Sequence, residues 1–296
     1  MVSKHIDSTP LRVLSLESRR GDEMRSLIER HGGLATVAPS MREIVIAENA
    51  AAFAFGNRLF AGGIDVVVFM TGVGATALME ALETRWSRAE VLSVMSVCRT
   101  VVRGPKPAAV LSKWGLRIDD RVPEPNTWRD LLSTMETAFL LSGKTIAIQE
   151  YGKPSDDLYY ELIERNALVV RVPVYRWALP EDVQPLIDAV RQTVEESFDL
   201  ILFTSAQQFH HIMTVADTLG LSQKWLEAAN RCVVASIGPT ATETLRDGGL
   251  PVDLQPTHPR MGPLVRESLD LGRGLLLTKR GLQRAADFEN SKQLDG

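Results

Sequence analysis

Four loops carry residue types that could do chemistry: Met70-Thr71-Gly72-Val73-Gly74, Arg103-Gly104-Pro105-Lys106, Thr204-Ser205-Ala206-Gln207 and Ile237-Gly238-Pro239-Thr240. Each joins an apolar run to a helix-forming stretch. A helix N-terminus leaves N–H groups without intrahelical acceptors, and with a nearby hydroxyl it suits a carboxylate or phosphate. Singly, each loop reads as well as a cap or tight turn. Four of them in equivalent places point to a shared ligand cleft. Tyr175 lies in the connector Val172-Pro-Val-Tyr-Arg-Trp177. A phenol there could donate a hydrogen bond or help a hydroxyl depart. For a lone tyrosine, packing on Trp177 is the plainer reading.

Other chemistries find less support. Gly72-Val73-Gly74-Ala75-Thr76-Ala77 satisfies the G-x-G-x-x-A dinucleotide pattern. That motif belongs in the first βα turn of its unit, with an acidic residue closing the next strand about twenty residues on. Here Glu90 precedes the next apolar run, and the matching Ala206-Gln207-Gln208-Phe209 has no glycine. His210 and His211 are adjacent, so on a helix they diverge and cannot hold one metal together. Five histidines and two core-type cysteines form no metal constellation. There is no G-x-S-x-G elbow and no defensible serine, histidine and acid set. Asp119-Asp120 and Asp156-Asp157 read as solvated surface.

The elements that must position these loops come in two copies. Asp65-Val-Val-Val-Phe69 reads like Asp199-Leu-Ile-Leu-Phe203, 134 positions later. The same offset pairs Met79 with Met213, Cys98 with Cys232, Gly104-Pro105 with Gly238-Pro239, and Leu111 with Leu245. It also pairs Gly115-Leu116 with Gly249-Leu250, Asp119 with Asp253, and Pro125 with Pro259. Leu27-Ile-Glu-Arg30 recurs as Leu162-Ile-Glu-Arg165. A near-constant offset means two copies of one unit.

Each copy opens with a buried-strand run, Leu11 to Leu16 and Thr145 to Ile148. Helical spacing follows at Met24, Leu27 and Ile28, and at Leu158, Leu162 and Ile163. Leu34–Val37 and Leu168–Val172 are again strand-like. Strand, helix and strand in about thirty residues make a βαβ unit, so the sheets are expected to be parallel with helices on both faces. Met41–Ala47 and Val174–Leu179 are extended connectors, leading to helices from Asn49 and from Pro180. Beyond about Gly274 a frayed polar tail is expected.

Composition sets the outer limits. A hydrophobic share of 45% and a charged share of 24% suit a globular protein with a proper core. A net charge of −4 gives no support to nucleic-acid binding. Two cysteines, Cys98 and Cys232, suggest a reducing compartment. Met1 to Pro10 lacks the apolar core of a signal peptide, and no apolar run approaches a bilayer span. The expected location is the cytoplasm, with no membrane partner.

The order and spacing of several short motifs resemble the uroporphyrinogen-III synthase family over about residues 10 to 275. They are Phe203-Thr-Ser-Ala206, Ile237-Gly-Pro-Thr-Ala241 followed by Leu245 and Gly249-Leu250, and Val174-Tyr175. Arg103-Gly-Pro-Lys-Pro107, Glu124-Pro-Asn-Thr-Trp128 and Gln149-Glu-Tyr-Gly152 look like one branch of it. The resemblance implies two similar parallel-sheet, flavodoxin-like α/β domains joined by a two-stranded β ladder. Residues 1–43 with 180–275 would form one domain, 44–179 the other, and 276–296 a polar tail.

The implied substrate is hydroxymethylbilane, a linear tetrapyrrole bearing eight carboxylates. Loss of its terminal hydroxyl and closure with inversion of the last ring give uroporphyrinogen III, whereas the unaided chain closes to isomer I. No cofactor and no metal are implied. By family likeness, Thr71, Ser205 and Thr240 would hydrogen-bond substrate carboxylates. Amides of Gly72, Gly104, Gly152, Ala206, Gln207 and Gly238 would assist, and Arg103 and Lys106 would add positive charge. Tyr175 would aid hydroxyl departure. Two positions depart from the family pattern, Pro107 where many members carry threonine, and Met70 before Thr71. The runner-up function is a non-catalytic tetrapyrrole-binding or regulatory protein on the same fold. A monomer is expected, with transient hand-over from the enzyme that makes hydroxymethylbilane.

Overall fold

The computed structural model describes residues 9–46 and 49–294, with side chains through residue 281. Most of the Met1–Pro10 stretch, and Ala47 at the end of the first connector, lie outside the described residues. In chain order the elements begin with β1 (Arg12–Ser15), α1 (Gly21–Arg30), β2 (Leu34–Val37) and β3 (Arg42–Val45). Next come α2 (Ala50–Phe60), β4 (Val66–Phe69), α3 (Gly72–Glu83), α4 (Arg88–Met95), β5 (Arg99–Val102) and α5 (Pro105–Lys113). The middle of the chain holds β6 (Asp120–Arg121), α6 (Trp128–Ala138), β7 (Thr145–Gln149), α7 (Asp156–Glu164), β8 (Leu168–Val172) and β9 (Tyr175–Ala178). The last part holds α8 (Gln184–Val194), β10 (Leu200–Phe203), α9 (Ala206–Thr218), α10 (Ser222–Ala229), β11 (Val233–Ser236), α11 (Pro239–Asp247) and α12 (Met261–Leu294).

These elements build two compact units. One is discontinuous, taking the chain up to Arg42 and again from Leu179, and the other is the continuous stretch Glu43–Ala178. The discontinuous unit holds a parallel sheet in the order β11-β10-β1-β2. A parallel bridge from Ala235 to Leu254 adds the start of a fifth strand. The continuous unit holds a parallel sheet in the order β6-β5-β4-β7-β8. Both are the flavodoxin-like order, in which direction reverses beside the first strand, β1 in one unit and β7 in the other. The first βαβ of the first copy therefore shares a sheet with the later strands of the second copy, and the converse holds in the continuous unit. Strands β3 and β9 form the separate two-stranded ladder, and the chain passes between units at its ends.

Sequence pattern explains the layering. Val66-Val-Val-Phe69 and Leu200-Ile-Leu-Phe203 are buried at every position, as central parallel strands require. Alternate residues feed opposite faces. Val67 and Phe69 join the cluster under α2, α3, α4 and α5, while Val66 and Val68 join the one under α6 and α7. In the other unit Ile201 and Phe203 meet α8, α9, α10 and α11, and Leu200 and Leu202 meet α1 and α12. Helices α5 and α11 both end on a glycine in the left-handed region, Gly115 at φ 72° and Gly249 at φ 81°.

The expectation of a frayed tail beyond about Gly274 is corrected. Helix α12 runs on through Leu294, and Leu276 is buried against the sheet. Lys279 Nζ reaches Cys232 O at 2.8 Å and Asp253 Oδ2 at 2.6 Å, and Arg280 reaches Asp199 Oδ1 at 3.0 Å. Lys279 and Arg280 are anchors at strand starts and not solvated ends.

Candidate functional site

In each unit the carboxyl edge of the sheet, at the switch point, collects the residues singled out from sequence. In the continuous unit, Thr71 caps α3, with its Oγ1 accepting Gly74 N–H at 3.0 Å. Such a cap is worth about 1 kcal/mol. The same oxygen lies 3.2 Å from the Tyr175 hydroxyl, so β4 and β9 bring these two candidates together. By helix geometry the amides of Gly72 and Val73 have no acceptor within α3. Gly72 is needed for packing, since a Cβ there would lie 3.0 Å from Lys106 O on the first turn of α5.

Tyr175 is 1% exposed and stands edge-on to Trp177, with centroids 5.5 Å apart. Trp177 Nε1 donates to Tyr151 O at 2.9 Å, and the Arg103 guanidinium lies over the Tyr151 ring, 4.7 Å from its centroid. Gly152 closes this cluster at φ 88°, where a side chain would run into Trp177 and Tyr175. Among the described residues no carboxylate pairs with the Arg103 guanidinium. Burial lowers its pKa from the ordinary arginine value, with Tyr151 and Tyr175 opposing. Burial likewise raises the Tyr151 phenol, against the charge of Arg103. The Asn126 side-chain amide, in the orientation that satisfies its neighbours, donates to Arg103 O and Val122 O and so pins the loop. Gly104 caps α5 through its backbone alone, and Lys106 is exposed on the first turn. Pro105 and Pro107 remove two amides, leaving that of Lys106 as the donor of this turn.

The edge of the discontinuous unit is built on the same plan. Ser205 caps α9, accepting Gln207 N–H at 3.3 Å, so that amide is engaged within the loop. Ala206 is buried beside it. Gly238 is the extended cap of α11, with Pro239 next and Thr240 exposed on the first turn. Thr204 Oγ1 donates to Glu17 Oε2 at 2.5 Å, while Glu17 Oε1 accepts the amides of Arg19 and Arg20. This edge therefore carries hydroxyls, amides and one occupied carboxylate, where the other carries a guanidinium and phenols.

Sequence reading did not single out Tyr151, Trp177, Asn126, Glu17, Gln149 or Gln208 as site residues. The stretch Gln149-Glu-Tyr-Gly152 was the signal for two of them. Among the described residues no group of three or more His, Cys, Asp or Glu could hold a metal. His211 is buried with its Nδ1 2.7 Å from Ser40 O, and burial lowers its pKa. No helix among the described residues is long and apolar enough to cross a membrane.

Such an edge can hold a multiply carboxylated ligand by amides, hydroxyls and one guanidinium, with a phenol at hand. The family described as Uroporphyrinogen-III synthase HemD matches residues 22–266. A protein of Methanothermobacter thermautotrophicus, named provisionally as a uroporphyrinogen-III synthase, is 28% identical over 231 residues, covering 78% of this chain and 87% of its own. The uncharacterized protein YjjA of Bacillus subtilis is 27% identical over 252 residues, covering 84% and 92%. Among solved structures, a mutant uroporphyrinogen III synthase of the extremely thermophilic bacterium Thermus thermophilus shares the fold with a TM-score of 0.65 at 23% identity, covering 93% of this chain and 99% of that one. The enzyme of Helicobacter pylori gives 0.53 at 13% identity, covering 88% and 99%. By sequence and by fold, the chain belongs to the uroporphyrinogen-III synthase family.

Proposed function

We propose that this chain is a uroporphyrinogen-III synthase, a lyase that cyclises hydroxymethylbilane with loss of water and inversion of the terminal ring. The observation that carries the reading is the Arg103, Tyr151, Tyr175 and Thr71 cluster at the switch point of the continuous unit. It combines a guanidinium with no carboxylate partner among the described residues, a hydroxyl-capped helix start and a phenol. A linear tetrapyrrole would offer its carboxylates to Arg103, to the amides of Gly72, Gly104 and Gly152, and to the hydroxyl of Thr71. In the other unit Ser205, Ala206, Gly238 and Thr240 would do the same. Tyr175 would donate toward the departing hydroxyl, and Lys106 would add charge at the rim. The reaction is intrinsically easy, so holding the ends in a productive shape is the main task.

The test supplies freshly generated hydroxymethylbilane and then oxidises and separates the products by isomer. Predominant isomer III supports the synthase. Isomer I alone, at the rate of the protein-free control, sinks it. The burial of Tyr175 and the proline at 107 favour the second reading, a tetrapyrrole-binding protein without turnover. That reading expects retention of a bound tetrapyrrole in the same experiment.

A further inference from the structure

The two units fix the same loop with a glutamine drawn from different elements. In the discontinuous unit it is Gln208, fully buried on the first turn of α9. Its Oε1 accepts the N–H groups of Thr204 at 2.7 Å and Ser205 at 3.2 Å. Its Nε2 donates to Leu16 O, just past β1, at 3.0 Å. In the continuous unit the position equivalent to Gln208 is Gly74. There the glutamine is Gln149, the last residue of β7 and 1% exposed. Its Oε1 accepts Thr71 N–H at 3.2 Å, and its Nε2 donates to Glu150 O, just past β7.

Strand register shows that the two residues have traded places. Val13 pairs with Leu200, and Ile146 pairs with the equivalent Val66. Leu16 and Gln149 each stand three residues further on, so Gln149 is the counterpart of Leu16. The pair Leu16 and Gln208 in one unit is thus Gln149 and Gly74 in the other. The trade is sterically forced, because a Cβ on Gly74 would overlap the Gln149 side-chain amide. Both arrangements end on the amide of the residue that caps the helix, Thr71 or Ser205.

We propose that Gln149 and Gln208 are positioning residues, holding Thr71 and Ser205 in the geometry that grips a substrate carboxylate. The inference rests on reading these edges as carboxylate sites. Neither glutamine touches the ligand; each acts through the cap residue. A loop released from this bond would misplace the hydroxyl and the first-turn amides by tenths of an ångström or more, which weakens binding and orientation together.

The experiment compares wild type, Gln149→Leu, and the double variant Gly74→Gln/Gln149→Leu, which copies the discontinuous unit's pair. The readouts are KM and kcat with hydroxymethylbilane, hydrogen exchange of the Thr71 amide by NMR, and the thermal midpoint. Gln149→Leu is expected to raise KM roughly tenfold with kcat changed only a few-fold, and to speed exchange at Thr71 roughly tenfold. The double variant is expected to bring both back to about the wild-type values. A single variant with wild-type KM overturns the proposal. So does a double variant that regains thermal stability and slow exchange but not KM, because the glutamine would then merely satisfy buried backbone groups. Should the double variant not fold, the mirror pair Leu16→Gln/Gln208→Gly is read the same way at Ser205. If wild type does not turn hydroxymethylbilane over, the synthase reading fails separately. The dissociation constant for uroporphyrin, an octacarboxylate probe, then replaces KM in the same comparison.

Discussion

Replacing Tyr175 by phenylalanine separates chemistry from scaffolding, because the structure bounds the scaffolding part. The ring is 1% exposed and meets Trp177 edge-on at 5.5 Å, contacts that phenylalanine keeps. Tyr175→Phe removes the hydroxyl and, with it, the 3.2 Å contact with Thr71 Oγ1. Thr71 is not orphaned, since it still accepts Gly74 N–H at 3.0 Å. Loss of one long neutral hydrogen bond costs about 1 kcal/mol. A role limited to supporting Thr71 therefore predicts a fall of about fivefold in kcat. Proton donation to a departing hydroxyl is worth about a hundredfold or more, or about 2.7 kcal/mol at the transition state.

The assay is kcat for isomer III from hydroxymethylbilane, with the thermal midpoint measured on the same samples. A hundredfold loss of kcat with a midpoint near wild type is the expected result. A kcat within about fivefold of wild type refutes the catalytic role and leaves Tyr175 as a support for Thr71. Thr71→Val then completes a double-mutant cycle, whose coupling should match the single hydrogen bond.

Four further outcomes follow from particular contacts. Arg103→Ile copies the residue at the equivalent Ile237 and should lower kcat/KM for isomer III by about tenfold to a hundredfold, as loss of a charge-assisted bond at the transition state predicts; an unchanged kcat/KM would remove Arg103 from the site. Gly152→Ala forces a Cβ into Trp177 and Tyr175 at a φ of 88°, so a loss of about 2 kcal/mol in urea unfolding is expected, and a neutral result would mean the aromatic cluster is loose. Burial alone would raise the Asp199 carboxyl, but hydrogen bonds and charge from Arg12 and Arg280 bring it to about 2. With the folded value below the unfolded one near 3.9, this contribution is full above about pH 4 and is lost as pH falls toward 2. It amounts to about 2 kcal/mol, which Asp199→Asn should flatten in urea titrations at pH 3 and pH 6. Burial pushes the thiols of Cys98 and Cys232 up to about 11 and about 12, so native protein at pH 7.5 should resist alkylation until each unit unfolds; fast labelling in native buffer would contradict their packing.

Much of this was legible in the residues. The repeat offset, the all-buried runs at Val66–Phe69 and Leu200–Phe203, and the four glycine- or hydroxyl-bearing loops give the two copies, the central strands and the loops at their carboxyl ends. What pattern does not carry is adjacency across the exchange. Arg103 and Tyr151 meet because β5 and β7 flank β4, and they belong to different copies. Gln149 reads as an ordinary polar residue at a strand end. Its role depends on the gap left by Gly74, far away in sequence. Lys279 and Arg280 read as solvated charge, yet they neutralise Asp253 and Asp199 at the starts of strands. Charged anchors and charged tails have the same composition, and only the partners tell them apart.

The modest chemistry of both edges is consistent with what ring closure demands. Favouring inverted over direct closure by a hundredfold needs about 2.7 kcal/mol between two transition states. A helix start contributes about 0.3–1 kcal/mol toward an anion, and a charge-assisted hydrogen bond about 1.5–3 kcal/mol. Arg103 with the α3 and α5 starts is therefore enough, without a strong acid or base. The other edge carries Ile237 and Thr240 where this one carries Arg103 and Lys106, so it lacks a charge at those two positions. On these magnitudes, the hydroxyl and amide that Pro107 lacks cost about 1 kcal/mol each and would leave part of the isomer preference that a synthase needs. Loss of Arg103 would remove most of it. Isomer composition from Arg103→Ile and from Pro107→Thr, measured side by side, should rank the two positions in that order.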